Sequence, residues 1–353
     1  MEQLEKTIER IEKPDMAMKK KAMQRLADQA RPAGSLGILE PISAQLAAIK
    51  GTLDVHLTEK IVITCAGDHG VVKEGVSLFP PEVTPQMVEN FVNGGASINV
   101  LARQSGARVM VADLGVNFDF SPEMPIFHKK VRKGTSNFTK TPAMTRDEAV
   151  KSINAGISIV DELVKNGNVD IIGTGDMGIG NTTPSSAIIA AFSGISPSEL
   201  TGRGTGINDA ILANKIRVIE KGLELHRPDP NDAVDVLSKL GGFEIGGLAG
   251  LVLGAAAHKI PVVCDGIIST AGALIAFELA PGIRDYLFAG HRSVEKGHRF
   301  MHERMDLVPL LDLQFRLGEG TGAAVAFQLL DAATRILAEI KTFEEVAIIN
   351  AQK

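Results

Sequence analysis

An α/β fold on a doubly wound parallel sheet is predicted by two features of this 353-residue chain. Short β-branched runs alternate with stretches of helical apolar spacing, and each run closes in a glycine-rich polar loop. The runs lack polar alternation, as expected of strands covered by helices on both faces.

Strands are expected at 61–66, 109–114, 169–173, 261–264 and 286–289, and helices at 87–103, 148–164, 210–223 and 246–257. The strand-end loops are Gly67-Asp-His-Gly70, Gly115-Val-Asn117, Gly175-Asp-Met-Gly178, Asp265-Gly266 and Gly290-His-Arg-Ser293. Ligands of open α/β sheets bind at the carboxyl ends of the strands, so these loops are expected to converge on one site. At the amino end, Leu4, Ile8 and Ile11 have helical spacing that stops at Pro14, and residues 320–341 form a second helical pattern. Neither end carries a strand signal. A small helical domain from residues 1–30 and 305–353 is therefore expected beside a large α/β domain over 31–304.

The formal charge of −5, with no dense Lys/Arg cluster, gives no footprint for a nucleic-acid backbone. Small molecules, or copies of the same chain, are the expected partners. Cys65 and Cys264 lie in apolar runs without metal-ligand spacing and read as buried reduced thiols. The start Met-Glu-Gln-Leu-Glu-Lys has no apolar secretory core. The apolar stretch 245–257 is too short to span a bilayer, which places the expected site of action in the cytoplasm.

Gly173-Thr-Gly-Asp-Met-Gly178 satisfies G-x-G-x-x-G after a strand. In a dinucleotide site the helix begins inside the triplet, whereas here Asn181-Thr-Thr-Pro184 starts it later. Three readings stay open: a loop holding a single phosphate at a helix N-terminus, which the late start favours, a dinucleotide site, or a structural turn. Thr201-Gly-Arg-Gly-Thr-Gly206 is a second glycine loop, where Gly204 permits close backbone approach and Arg203 or Lys215 is placed to neutralise phosphate. Its bland reading is a solvated connection. Leu317-Gly-Glu-Gly-Thr-Gly322 leaves Glu319 sterically open before a helix, whose start favours an ionised carboxylate; an ordinary helix-start acid is the alternative. No adjacent acidic pair precedes a glycine loop, so neither a metal nor a cofactor is expected.

Seven blocks in order resemble the nicotinate-nucleotide:dimethylbenzimidazole phosphoribosyltransferases of cobalamin biosynthesis. They are Arg31–Gly37, Ala66–Gly70, Phe79–Val88, Gly178–Thr183, Gly241–Gly247, Gly290–Ser293 and Leu317–Gly322. The resemblance implies a Rossmann-like large domain, a helical domain from both termini, a homodimer, and nicotinate mononucleotide and dimethylbenzimidazole as substrates. It implies Glu319 as catalytic base, with Gly178, Ile179, Gly180, Asn181, Thr182 and Lys215 around the nucleotide phosphate. Asp265 and Ser293 fall on the nucleotide side, and Ser77, Gln86 and Leu317 around the base, where Phe79 and Met87 are further apolar contacts. Asp176 stands where the family usually has Glu, and is expected to support catalysis as a second carboxylate. A transferase for another lower-ligand base, a non-catalytic nucleotide sensor and an NAD-dependent oxidoreductase are the competing readings. Glu319 argues against the sensor, and the late helix start argues against the oxidoreductase.

Overall fold

The computed structural model describes residues 1–204 and 206–349. Its strands are β1 (Lys60–Gly67), β2 (Ala107–Gly115), β3 (Phe127–His128), β4 (Ile171–Met177), β5 (Val262–Cys264), β6 (Leu287–His291) and β7 (Pro309–Leu311). They form one parallel sheet in the order β3-β2-β1-β4-β5-β6-β7. Strand order reverses between the neighbours β1 and β4, which opens a crevice at their carboxyl ends. All eight residues of β1 are buried, as its unbroken apolar run requires.

Four findings differ from the sequence expectations. β3 and β7 were not anticipated, because edge strands of two or three residues carry no periodic signal. β7 lies in the C-terminal segment expected to lack strands, and pairs with β6. β4 continues through Met177, so Gly175, Asp176 and Met177 are strand residues rather than loop residues. The helix expected over 87–103 is two helices, Val83–Val92 and Ser97–Gln104, separated at Gly94, whose φ of +77° suits glycine.

Near the amino end, Asp15 caps the helix Met16–Asp28 by accepting from the Met18 N–H at 2.9 Å. That helix packs on Leu39–Lys50, which packs in turn on Thr321–Glu339. An isolated antiparallel bridge joins Gln29 to Thr342. Glu2–Glu9 lies instead against Arg146–Asn166 and Phe243–Ala257.

Apart from Glu244, Phe243–Ala257 is apolar all round, and it is buried from Phe243 to Ala256, the pattern of a core helix. Among the described residues no helix is long and apolar enough to cross a membrane. Small residues let this helix cross Arg146–Asn166 at backbone contact. A Cβ on Gly156 would lie 2.0 Å from the Gly247 carbonyl oxygen, and one on Gly250 1.9 Å from that of Ile153. Cys65 and Cys264 lie on β1 and β5 with no exposed surface, and burial pushes both thiols up, Cys264 to about 12.

The crossing yields a stability prediction. Gly250→Ala should cost about 1–3 kcal/mol through overpacking, read as a lower urea midpoint at unchanged slope. A wild-type midpoint would show that the two helices separate freely.

Candidate active site

A cavity of about 310 Å³ opens at the carboxyl ends of β4 and β6, between the strand-end loops. It is lined by Ser77, Phe79, Met87 and Leu317, by Gly178, Ile179, Gly180, Asn181, Thr182, Gly204, Lys215 and Ser293, and by Asp176 and Glu319. Fourteen of the sixteen residues expected in the site thus face one cavity, counting those just named. The two others do not line it. Gln86 is exposed one position before Met87, because its helix turns it outward. Asp265 is fully buried behind the wall and acts on the backbone.

Glu319 sits in a turn of three consecutive left-handed residues, with φ of +85° at Gly318, +65° at Glu319 and +99° at Gly320. A non-glycine residue in this region costs on the order of 1 kcal/mol, so its surroundings must hold it there. The Asp265 carboxylate accepts from the Gly320 N–H at 3.0 Å and the Gly322 N–H at 2.7 Å. The Glu319 N–H donates to the Asp176 carbonyl at 3.2 Å, and Thr64 Oγ1 donates to the Glu319 carbonyl at 2.9 Å. Gly175 of β4 admits the turn, since a Cβ there would meet the Glu319 carbonyl oxygen at 2.3 Å.

The helix that favours the Glu319 carboxylate is not the one expected from sequence. Its Oε2 accepts from the Ile98 N–H at 3.1 Å, in the first turn of Ser97–Gln104. Burial nevertheless outweighs that hydrogen bond and, with the charge of Asp265, raises the Glu319 pKa above the ordinary value.

At the opposite end, Thr182–Ser193 begins after Asn181, close to the start inferred from sequence. Asn181 makes no side-chain cap; its Nδ2 donates to Asp176 Oδ2 at 2.9 Å. Lys215, only 1% exposed, donates from Nζ to Thr182 Oγ1 at 2.6 Å. Burial brings its pKa down to about 8, against the opposing charge of Glu295. Buried Asp176 is raised well above the carboxylate range, first by burial and then by the charge of Asp265, with smaller contributions from Glu244 and Glu319. Its Oδ1 is buried without a hydrogen-bond partner.

Several site features were not assigned from sequence. His291, Glu295 and Arg316 line the cavity. His291 Nε2 lies 3.3 Å from Asp265 Oδ1, and its position in a strand-end loop was the available signal. Glu295 follows the same loop, but an acid at that spacing has no motif. Behind the Gly178 loop, His69 Nε2 lies 2.7 Å from Glu244 Oε1, both side chains being essentially inaccessible. Burial alone would depress the His69 pKa, but the charge and contact of Glu244 raise it overall.

A parallel sheet whose switch point carries a glycine loop at a helix start, a buried lysine and a buried carboxylate in one cavity defines a nucleotide-handling α/β enzyme. The phosphoribosyltransferase family model matches residues 11–348. The nicotinate-nucleotide–dimethylbenzimidazole phosphoribosyltransferase of Citrifermentans bemidjiense is 55% identical over 351 residues, 99% of this chain and 100% of the relative. That of Geotalea uraniireducens is 56% identical over the full length of both proteins. A crystal structure of CobT from Thermus thermophilus superposes with a TM-score of 0.91 at 41% identity, over 95% of this chain and 100% of that one. The chain belongs to the nicotinate-nucleotide–dimethylbenzimidazole phosphoribosyltransferase family.

Asp265→Asn tests the anchor of the Glu319 turn. An amide presents one acceptor where two backbone N–H groups converge, and its own NH₂ faces a donor. Unfolding should show a loss of about 1–3 kcal/mol, the usual cost of an unsatisfied buried group. Unchanged stability would mean that the turn holds itself.

Proposed function

We propose that this chain transfers the phosphoribosyl group of nicotinate mononucleotide to a ring nitrogen of dimethylbenzimidazole. The products are nicotinate and α-ribazole phosphate, the nucleotide of the cobalamin lower ligand. The observation that carries this reading is the pairing, in one cavity, of a buried carboxylate at Glu319 with a glycine-loop cradle at Gly178–Thr182 and Lys215. The family and the named activity of its members support it.

The cradle and Lys215 hold the phosphate, with Gly204 and Ser293 beside them, while Phe79, Met87 and Leu317 offer an apolar wall to the base near Ser77. The pyridinium nitrogen of the nucleotide leaves the anomeric carbon as a neutral ring. The benzimidazole nitrogen attacks from the opposite face, which inverts the β-nucleotide to an α-ribotide. As the new bond forms the benzimidazole becomes cationic, and Glu319 takes the proton from its other nitrogen. That proton transfer contributes roughly 10² to 10⁴ in rate, and the carboxylate also stabilises the developing charge.

Asp176 backs up Glu319 from β4, with its carboxyl held protonated above the usual range by burial. Its shorter side chain, relative to the Glu usual in the family, leaves room for a bridging water. The working unit is a homodimer acting in the cytoplasm, a reading supported by the family resemblance and by the exposed Leu78, Phe79 and Leu317 beside the cavity.

Nicotinate mononucleotide and dimethylbenzimidazole, followed by chromatography, should give equal amounts of nicotinate and α-ribotide with EDTA present, because the leaving group is a neutral pyridine. Nicotinate without ribotide would make the chain a hydrolase, and complete dependence on added magnesium would overturn the mechanism.

Glu319→Gln should bind nucleotide normally and lower turnover by roughly 10² or more, with Asp176→Ala falling less. In the wild type, turnover should decline as acid protonates Glu319, with a midpoint above the ordinary glutamate value of 4.5 because burial raises it. Wild-type turnover in a folded Gln variant would remove Glu319 from the reaction.

A further inference from the structure

Glu295 has no role in the chemistry above, yet it is 4% exposed and lines the cavity at its phosphate end. Its Oε1 accepts from the Gly204 N–H at 2.7 Å, and its own N–H donates to Ser293 Oγ at 3.3 Å. Its Oε2 is buried with no hydrogen-bond partner among the described residues. The backbone is cut away to receive this carboxylate, since a Cβ on Gly202 would stand 2.2 Å from Oε2. Across Gly204 lies Lys215: a Cβ on Gly204 would be 3.9 Å from Lys215 Nζ and 3.3 Å from Thr182 Oγ1.

Anchoring one N–H does not require a charge. A neutral amide would serve, and a buried carboxylate with an unpaired oxygen is costly. The charge therefore acts on something other than Gly204, and Lys215 is the buried cation beside it. Two arginines also face this end. Arg203 pairs with Asp209, and Arg316 donates to the Gly204 carbonyl at 3.2 Å.

We propose that Glu295 is a positioning residue for nucleotide binding, which fixes the backbone at Gly204 and holds a negative charge behind Lys215 so that the buried ammonium stays protonated for the phosphate. The inference rests on the reading of Lys215 as a phosphate ligand. Burial takes Lys215 down to about 8, and the charge of Glu295 is what opposes a further fall. Sign follows directly. Phosphate binding needs the protonated lysine, so affinity is lost as pH rises through the Lys215 pKa, and removing the Glu295 charge moves that loss to lower pH.

Titration calorimetry of nicotinate mononucleotide against pH tests this on the full-length protein. Glu295→Gln keeps an acceptor for Gly204 and removes the charge. It should bind within about twofold of wild type at pH 6 and about tenfold more weakly at pH 8.5, as for a midpoint displaced by one pH unit. Glu295→Asp keeps the charge and should retain the wild-type midpoint while binding more weakly at every pH. A Gln variant with the wild-type midpoint overturns the proposal. Lys215→Met separates the two claims: wild-type affinity there would remove Lys215 from the phosphate site and the inference with it, whereas weak, pH-independent binding upholds the site and leaves the Gln result to decide.

Discussion

The two hydrogen bonds from Gly320 and Gly322 to the Asp265 carboxylate fix the geometry on which the cavity depends. They tie the end of β5 to the start of Thr321–Glu339 and hold the intervening turn in a conformation that side chains disfavour. Without that tie, a left-handed Glu319 would relax and its carboxylate would leave the Ile98 N–H. The sheet is shaped to match. Glycines at 175 and 290 let the turn and the helix start press directly onto β4 and β6, where a methyl group would collide with backbone.

Charge inside this core is arranged unevenly. Asp265 has His291 beside it and Glu244 has His69, so each carboxylate has a partner able to carry the opposite charge. Asp176 has only the Asn181 amide and stands among like charges, which keeps its proton bound well above the usual range. A second histidine group is kept neutral. His298 accepts from the Ser293 N–H at Nδ1 and contacts Thr270 Oγ1 through Nε2, and burial with the neighbouring His302 and His291 depresses it far below its ordinary value. His302 falls to about 4 for similar reasons, burial first. The cavity thus combines the carboxylate of Glu319 and a proton-retaining Asp176 with a cationic group at Lys215.

The alternation of apolar runs and glycine loops made the sheet and its site edge legible, because buried parallel strands write continuous runs and ligand loops follow them. Thr182 and Lys215 were readable for the same reason, lying on helices that glycine loops introduce. Edge strands β3 and β7 were not, since a few residues at an edge need no pattern of their own. Asp265 reads as a ligand residue from its place at a strand end, yet it serves the backbone; only three-dimensional contact separates those uses. Gln86 and Met87 are adjacent in sequence, and helical rotation alone decides which of them meets the cavity. Glu295 escaped because its meaning lies in Gly202, Gly204 and Lys215, which are distant in sequence and share no motif with it.

The two sealed thiols make this chain a ready host for spectroscopic probes. Cys65 and Cys264 have no exposed surface and are held in the protonated, unreactive form, so thiol-directed dyes have no native target in the folded protein. A cysteine introduced at an exposed position near the cavity, as at Val294 between Ser293 and Glu295, would be the sole site of labelling. Fluorescence from such a reporter would follow occupancy of the cavity in real time without first stripping the protein of its own sulfur.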